Sequence, residues 1–367
     1  MPRGRPVTRV ALRPGERSLA CVLSLCLTAG AVGCGADDGA DAQTIIESER
    51  ISVVDGSTFD ELFMVVDSLT LEESDAVTTV FPYVTVDPQG GFLVADPREH
   101  QVRVYSRQGK LEQIYGAGTA TVDSIDRPYL ARRLPDGAIA VANLVGPLTV
   151  IPHDSGQASR FIPFPFRLMR GLEVLSDHEI LLVGPDSARP TASLHILDLR
   201  NERIVGSFLA PPPHLHADVR MMFSSVRTAR RGNRLAAVHM SSDTLVFFDL
   251  MGTELSRVPI PIDPFIAPLG PLPNVESPAE QDKWLNQFTH ITNLFWIDDD
   301  GLIVQWDKVR NEGTDWGIVQ LDTTGTRLWA VAPAPRLIAI HNDEFFFQDP
   351  ASDRPNRWIV AKRRMGP

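Results

Sequence analysis

Residues 91–110 read GFLVADPREHQVRVYSRQGK, and this order of strand, turn, strand, turn recurs along the chain. Phe92 to Ala95 form a compact apolar run that Asp96 and Pro97 break. Val102 and Val104 then alternate with Arg103 and Tyr105, the period of a half-buried strand. In SRQG, Ser106 stands first and Gly109 fourth, the residues a type I turn favours there. KLEQIYG reads as one more strand. The same grammar governs GAIAVANLVGPLTVIPHDSG, HEILLVGPDSARPTASLHILDLRN, NRLAAVHMSSDTLVFFDLMG and GLIVQWDKVRNEGTDWGIVQLDTTG, whose turns end at Gly156, Asn201, Gly252 and Gly325. From Gly109 onward these turns lie 47, 45, 51 and 73 residues apart. A period of about 40–50 residues with four strands per unit is the mark of propeller blades.

A sixth copy, RLIAIHNDEFFFQDPASDRPNRWIVAKRRMGP, has three strand-like runs where the others have four. A three-stranded blade would leave an unlatched edge. ISVVDGSTFDELFMVVDSL, residues 51–69, precedes the first full copy and belongs to no other unit, so it is expected to supply the missing strand. The expected fold is all-β: a six-bladed β-propeller of four-stranded antiparallel blades, its ring closed by an N-terminal strand. One insertion, about residues 261–288, explains the 73-residue interval. Its Pro-rich start cannot hold regular structure for long. SPAEQDKWLNQF then offers Ser277, Pro278 and Glu280 as a capping box with proline in the first turn, so a short helix is expected there, as a lid, a partner surface or a cover.

VTVDPQGGFLVADPREHQVRVYSRQGKLEQIYG resembles an NHL-type repeat, with VAD before the loop, QVRVY as third strand and a glycine-closed turn. The motif-level resemblance covers about one unit; over residues 44–364 it holds as pattern. It implies a six-bladed propeller, a fold shared by scaffolds, ligand binders and some enzymes.

The N-terminus is a separate matter. Five arginines between Arg3 and Arg17 precede SLACVLSLCLTAGAVG, residues 18–33, which carries no charge. That is the layout of a secretory signal peptide, and the run is short for a membrane span of about 20 residues. AVGC, Ala31 to Cys34, looks like a bacterial lipobox, which implies cleavage before Cys34 and a lipid anchor on its thiol. Residues 1–33 are thus expected to be the signal, 34–43 a tether, and 44–367 the propeller domain. Gly35 is not the Asp that retains lipoproteins in the inner membrane of enteric bacteria, which points to the outer membrane. The other two cysteines, Cys21 and Cys26, fall inside the signal, so the domain has no thiol chemistry. The whole chain carries a net charge of −11, and removing five Arg and Glu16 with the signal takes it to −15. So acidic a domain does not attract polyphosphate, and nucleic acid is excluded as a partner. The expected partners are the membrane, through Cys34, and a protein, peptide or small molecule bound by a monomer.

Binding residues on a propeller sit on the loops of one face, those leading into each blade and those between its second and third strands. The fifth mid-blade loop, WDKVRNEGTDWG, is the most distinctive: Trp306, Asp307, Lys308, Arg310 and Trp316 mix aromatic platforms with charge. Its bland alternative is tryptophan packing between blades. The segments leading into blades bring Arg127, Arg167, Arg170, His290 and Asn293 towards the channel. Arginines there suit a carboxylate or phosphate, or else staple blades through neighbouring Asp. Asn143, His290 and Asp307 are candidate metal ligands, because propeller lactonases resembling the gluconolactonase family hold a divalent cation on the axis with acidic and amide ligands. No compact ligand motif supports a metal, and no G-x-S-x-G elbow accompanies Ser224 and Ser225. The sequence therefore favours a binding or scaffolding propeller in the cell envelope. The alternative is a metal-dependent hydrolase or lactonase of propeller type, with the cation as its cofactor.

Overall fold

The computed structural model describes residues 58–364, apart from 74–82, 117–124, 145, 155–156, 164–170, 187–188, 221–222, 224, 272, 274–276, 300 and 311–312. The signal, the tether and Cys34 lie outside the described residues, as do Arg167, Arg170 and Ser224.

The chain folds into six four-stranded antiparallel sheets arranged as a six-bladed β-propeller. A helical turn, α1 (Phe59–Leu62), leads into β1 (Phe63–Thr70). Blade 1 follows with β2 (Tyr83–Val86), β3 (Phe92–Asp96), β4 (Gln101–Tyr105) and β5 (Leu111–Gly116). Blade 2 holds β6 (Pro128–Arg133), β7 (Ile139–Asn143), β8 (Leu148–Ile151) and β9 (Arg160–Ile162). Blade 3 holds β10 (Gly171–Val174), β11 (Glu179–Val183), β12 (Leu194–Asp198) and β13 (Arg203–Phe208). After α2 (Ala217–Arg220), blade 4 holds β14 (Val226–Arg231), β15 (Arg234–His239), β16 (Thr244–Asp249) and β17 (Glu254–Pro259). After α3 (Pro278–Leu285), blade 5 holds β18 (Thr289–Trp296), β19 (Gly301–Arg310), β20 (Gly313–Asp322) and β21 (Arg327–Ala334). Blade 6 holds β22 (Leu337–His341), β23 (Glu344–Gln348) and β24 (Arg357–Arg363), and β1 completes it. β1 pairs antiparallel with β24 from Phe63↔Arg363 to Thr70↔Arg357, so the two ends of the chain close the ring as the sequence required.

The second strands read as unbroken apolar runs because both faces of each sheet are covered. In β3, Phe92 and Val94 pack towards blade 6, while Leu93 and Ala95 pack towards blade 2. Six apolar clusters result, one at each junction between neighbouring blades. At about 25 cal/mol per Å² of apolar surface removed from water, these junctions are the main source of stability. The recurring turns follow local rules. The Gly109, Gly252 and Gly325 amides donate to Ser106, Asp249 and Asp322 carbonyls at 3.0, 3.2 and 3.1 Å. All three glycines adopt φ between +79° and +86°, where a side chain would be strained.

Blade 5 departs from the expected loop. WDKVR and GTDWG are strand, paired from Trp306↔Gly317 to Arg310↔Gly313, so β19 and β20 form one hairpin of two ten-residue strands. The ladder runs without a shift of register from Gly301↔Asp322 to Arg310↔Gly313. The insertion divides likewise. Ile262 and Phe265 are buried in the cluster between blades 4 and 5. Residues 273–285 fall in a separate unit that contains α3. There the Glu280 amide donates to the Ser277 hydroxyl at 3.3 Å, the cap read from the sequence. Among the described residues no helix is long and apolar enough to cross a membrane.

Candidate functional site at the mouth of the axial channel

The first strand of each blade, β2, β6, β10, β14, β18 and β22, faces the axis, and together they line a cavity of about 320 Å³. Side chains near the start of each strand share one end of this channel; those near its finish share the other.

The finishing end is electrostatically settled. Arg132 pairs with Glu173 at 3.1 Å, Arg133 with Asp87 at 2.7 Å, and Arg231 with Asp299 at 2.6 Å. Arg230 donates to the Val174 carbonyl at 2.8 Å. Each of these links neighbouring strands around the ring, so here the arginines staple blades.

The starting end differs. Tyr83, Tyr129 and Arg227 stand at or next to the first residue of β2, β6 and β14, and Arg336 stands just before β22. All four line the channel and are half-buried. The phenol rings of Tyr83 and Tyr129 lie 4.1 Å apart at 40°. Arg227 reaches the Tyr129 hydroxyl in a long contact of 3.4 Å. Arg336 lies over the Trp316 ring at 5.3 Å, and its guanidinium makes no hydrogen bond among the described residues. The Nε atoms of both arginines are buried without a hydrogen-bond partner among the described residues.

One carboxylate stands behind this lining. Asp307 faces His290 across the β18–β19 ladder and Trp316 across the β19–β20 ladder. Its Oδ1 lies 3.2 Å from His290 Nδ1, and both side chains are largely buried. Among the described residues, Nε2 of His290 has no hydrogen-bond partner. Burial opposes the charge on both guanidinium groups. For Arg227 the phenols of Tyr129 and Tyr83 and the Asp307 carboxylate outweigh burial and raise its pKa. For Arg336 burial prevails, the like charge of Arg227 adds to it, and the pKa falls.

Of the residues singled out from the sequence, His290, Asp307 and Trp316 come together behind Arg336, and Asn293 lines the channel with its amide on the Leu337 carbonyl at 3.3 Å. The others lie elsewhere. Arg127 sits against Asp126, 3.5 Å away, and its amide donates to His100 Nδ1. Trp306 packs on Gly317 and against the core between blades 4 and 5, so close that a Cβ on Gly317 would fall 2.2 Å from the indole. Lys308 faces Asp315 in the ladder, and Arg310 closes the hairpin opposite Gly313. Asn143 is buried, its amide donating to the Pro147 carbonyl and the Thr149 hydroxyl at 2.7 and 3.1 Å. No group of three His, Cys, Asp or Glu side chains among the described residues is placed to hold a metal ion. Arg227 and Arg336 escaped the sequence reading, although a positional signal existed: each stands where a blade's innermost strand begins.

No protein-family model matches the chain, and no curated sequence does. Solved structures do. A member of the DUF4221 family from Bacteroides vulgatus has 12% identity and a TM-score of 0.58, over 83% of this chain and 98% of that one. A putative exported protein from Bacteroides fragilis has 12% identity and a TM-score of 0.55, over 85% of this chain and 97% of that one. At such identity the likeness is one of fold.

Proposed function

We propose that the chain is an exported, lipid-tethered propeller that acts as a binding module, taking a small ligand at the starting end of its axial channel. The observation that carries this reading is the convergence of Tyr83, Tyr129, Arg227 and Arg336 from four blades on one opening. The channel into which this opening leads has a volume of about 320 Å³ over its lined length, at the low end of the usual range of about 300–1,000 Å³ for small-molecule sites. Export and tethering are supported by the basic start, the apolar run and the AVGC stretch. That a putative exported protein of Bacteroides fragilis has the same fold agrees with export.

Two measurements test this. Expressed in a bacterium that processes lipoproteins, the full chain should partition with membranes and incorporate labelled palmitate, and Cys34→Ala should abolish the incorporation. Native mass spectrometry of the detergent-purified chain against a metabolite mixture should show a one-to-one adduct that Tyr129→Ala weakens. An adduct indifferent to Tyr129→Ala and Arg336→Gln would place the ligand elsewhere.

A further inference from the structure

We infer that the ligand bound at this mouth is a small organic carboxylate whose anionic end lies between Arg227 and Arg336. The inference rests on the channel mouth being the ligand site and adds the chemistry of what binds there.

Charge is the first argument. Burying a cation without a hydrogen-bonded counter-charge costs several kcal/mol, so folded chains pair such groups. This chain does so at the other end of the same channel, where Arg132 and Arg133, both largely buried, hold carboxylates at 3.1 and 2.7 Å. At the mouth two guanidinium groups share one opening, and neither is hydrogen-bonded to a carboxylate among the described residues. Asp307 acts on both through space, yet its hydrogen bond goes to His290. Two guanidinium groups thus outnumber the one carboxylate beside them, an excess of positive charge that a bound carboxylate would offset.

Geometry is the second. A guanidinium presents a planar fork that matches carboxylate oxygens, and affinity rises when the fork is held in place beforehand. Arg336 is held by the Trp316 ring beneath it, and Arg227 touches the Tyr129 hydroxyl. Shape is the third. The paired rings of Tyr83 and Tyr129 give the same opening an aromatic wall, which a bare inorganic ion would leave unused.

The test is calorimetric titration of the detergent-purified full chain with four probes that share one phenyl ring: benzoate, benzamide, benzylamine and phenyl phosphate. Benzoate should bind at least about tenfold more tightly than benzamide, since a hydrogen bond to a charged group contributes about 1.5–3 kcal/mol. Arg336→Gln and Arg227→Gln should each weaken benzoate about tenfold or more and leave benzamide nearly unchanged. The comparison of probes on the unaltered chain stands even where a variant fails to fold. Equal affinity for benzoate and benzamide, both weakened by Tyr129→Ala, would overturn the carboxylate assignment and leave the channel mouth as the ligand site. A preference for phenyl phosphate or benzylamine would overturn it as well. Benzoate binding that no mouth substitution alters would sink both readings, and failure of benzoate to bind at about 10 mM would overturn the inference.

Discussion

Replacing Phe63 tests whether β1 closes the ring. Phe63 is the first residue of that strand and is 1% exposed. Its ring stacks on Phe59 at 5.1 Å and meets Phe345, Phe347 and Trp329 edge-on at 5.0, 5.2 and 5.6 Å. Ile303, Val331 and Leu337 complete the cluster, so one side chain ties the N-terminal strand to blades 5 and 6. Truncating a buried Phe to Ala costs about 3–5 kcal/mol, and with four aromatic partners Phe63→Ala belongs in the upper part, about 4–5 kcal/mol. An unfolding entropy of about 2.1 cal/mol/K per residue over roughly 300 residues gives about 0.6 kcal/mol/K. The melting temperature should therefore fall by about 6–8 °C in scanning calorimetry. Met64→Ala, one residue along the same strand and 47% exposed, is the control. It should shift stability by no more than about 0.5 kcal/mol, under 1 °C. If Phe63→Ala melts within about 2 °C of Met64→Ala, the ring is not latched through this residue and the reasoning fails.

Other outcomes follow from single contacts. Asp87, 3% exposed in its side chain, holds Arg133 through two oxygens at 3.0 and 2.8 Å where blades 1 and 2 meet, so Asp87→Ala should cost about 3–5 kcal/mol in urea unfolding. Asp299→Ala, which breaks the exposed pair with Arg231, should leave the urea midpoint nearly unmoved, and equal losses would argue against burial as the cause. His239 is buried and burial lowers its pKa to about 4. Below about pH 6.5 the unfolded chain takes up a proton that the folded chain refuses until about pH 4. Its stabilising effect is therefore complete above about pH 6.5 and is lost as the pH falls to about 4, by about 3 kcal/mol. Urea midpoints of His239→Gln should fall less steeply than those of the unaltered chain across that window, and parallel profiles would refute the assignment.

The parts of the fold legible in the sequence are those fixed by neighbours along the chain. A Ser or Asp three residues before a glycine at positive φ is a local rule, and it marks the turns at Gly109, Gly252 and Gly325 without reference to packing. Closure was legible because a blade with three strands leaves an edge that ISVVDGSTFDELFMVVDSL can fill. The mouth of the channel obeys no such rule. Arg227 and Arg336 stand on blades 4 and 6, and only ring closure makes them neighbours. The sequence drew attention instead to Trp306 and Trp316 as a pair, though they differ by face. Trp306 turns into the junction between blades 4 and 5, and Trp316 lies under Arg336. Which face each takes depends on the β19–β20 hairpin continuing through WDKVR and GTDWG, where a loop was expected.

The two ends of the channel also separate stability from function without reference to any relative. Identical chemistry is available at both, since each is lined by arginines from the innermost strands. At one end each arginine meets a carboxylate or carbonyl of a neighbouring blade, and where that pair is buried, as for Arg133 and Asp87, its removal should destabilise the ring. At the other, Arg227 and Arg336 repel each other beside Asp307, whose hydrogen bond goes to His290. A chain of net charge −11 does not lack carboxylates to place there. Stability alone would favour pairing these cations or replacing them with apolar side chains of similar volume, so retaining both at an open channel end is a cost that binding an anion would offset. The corollary is measurable: Arg336→Met should leave the melting temperature equal to or above that of the unaltered chain while abolishing benzoate binding, and a large loss of stability would mean that Arg336 is a staple after all.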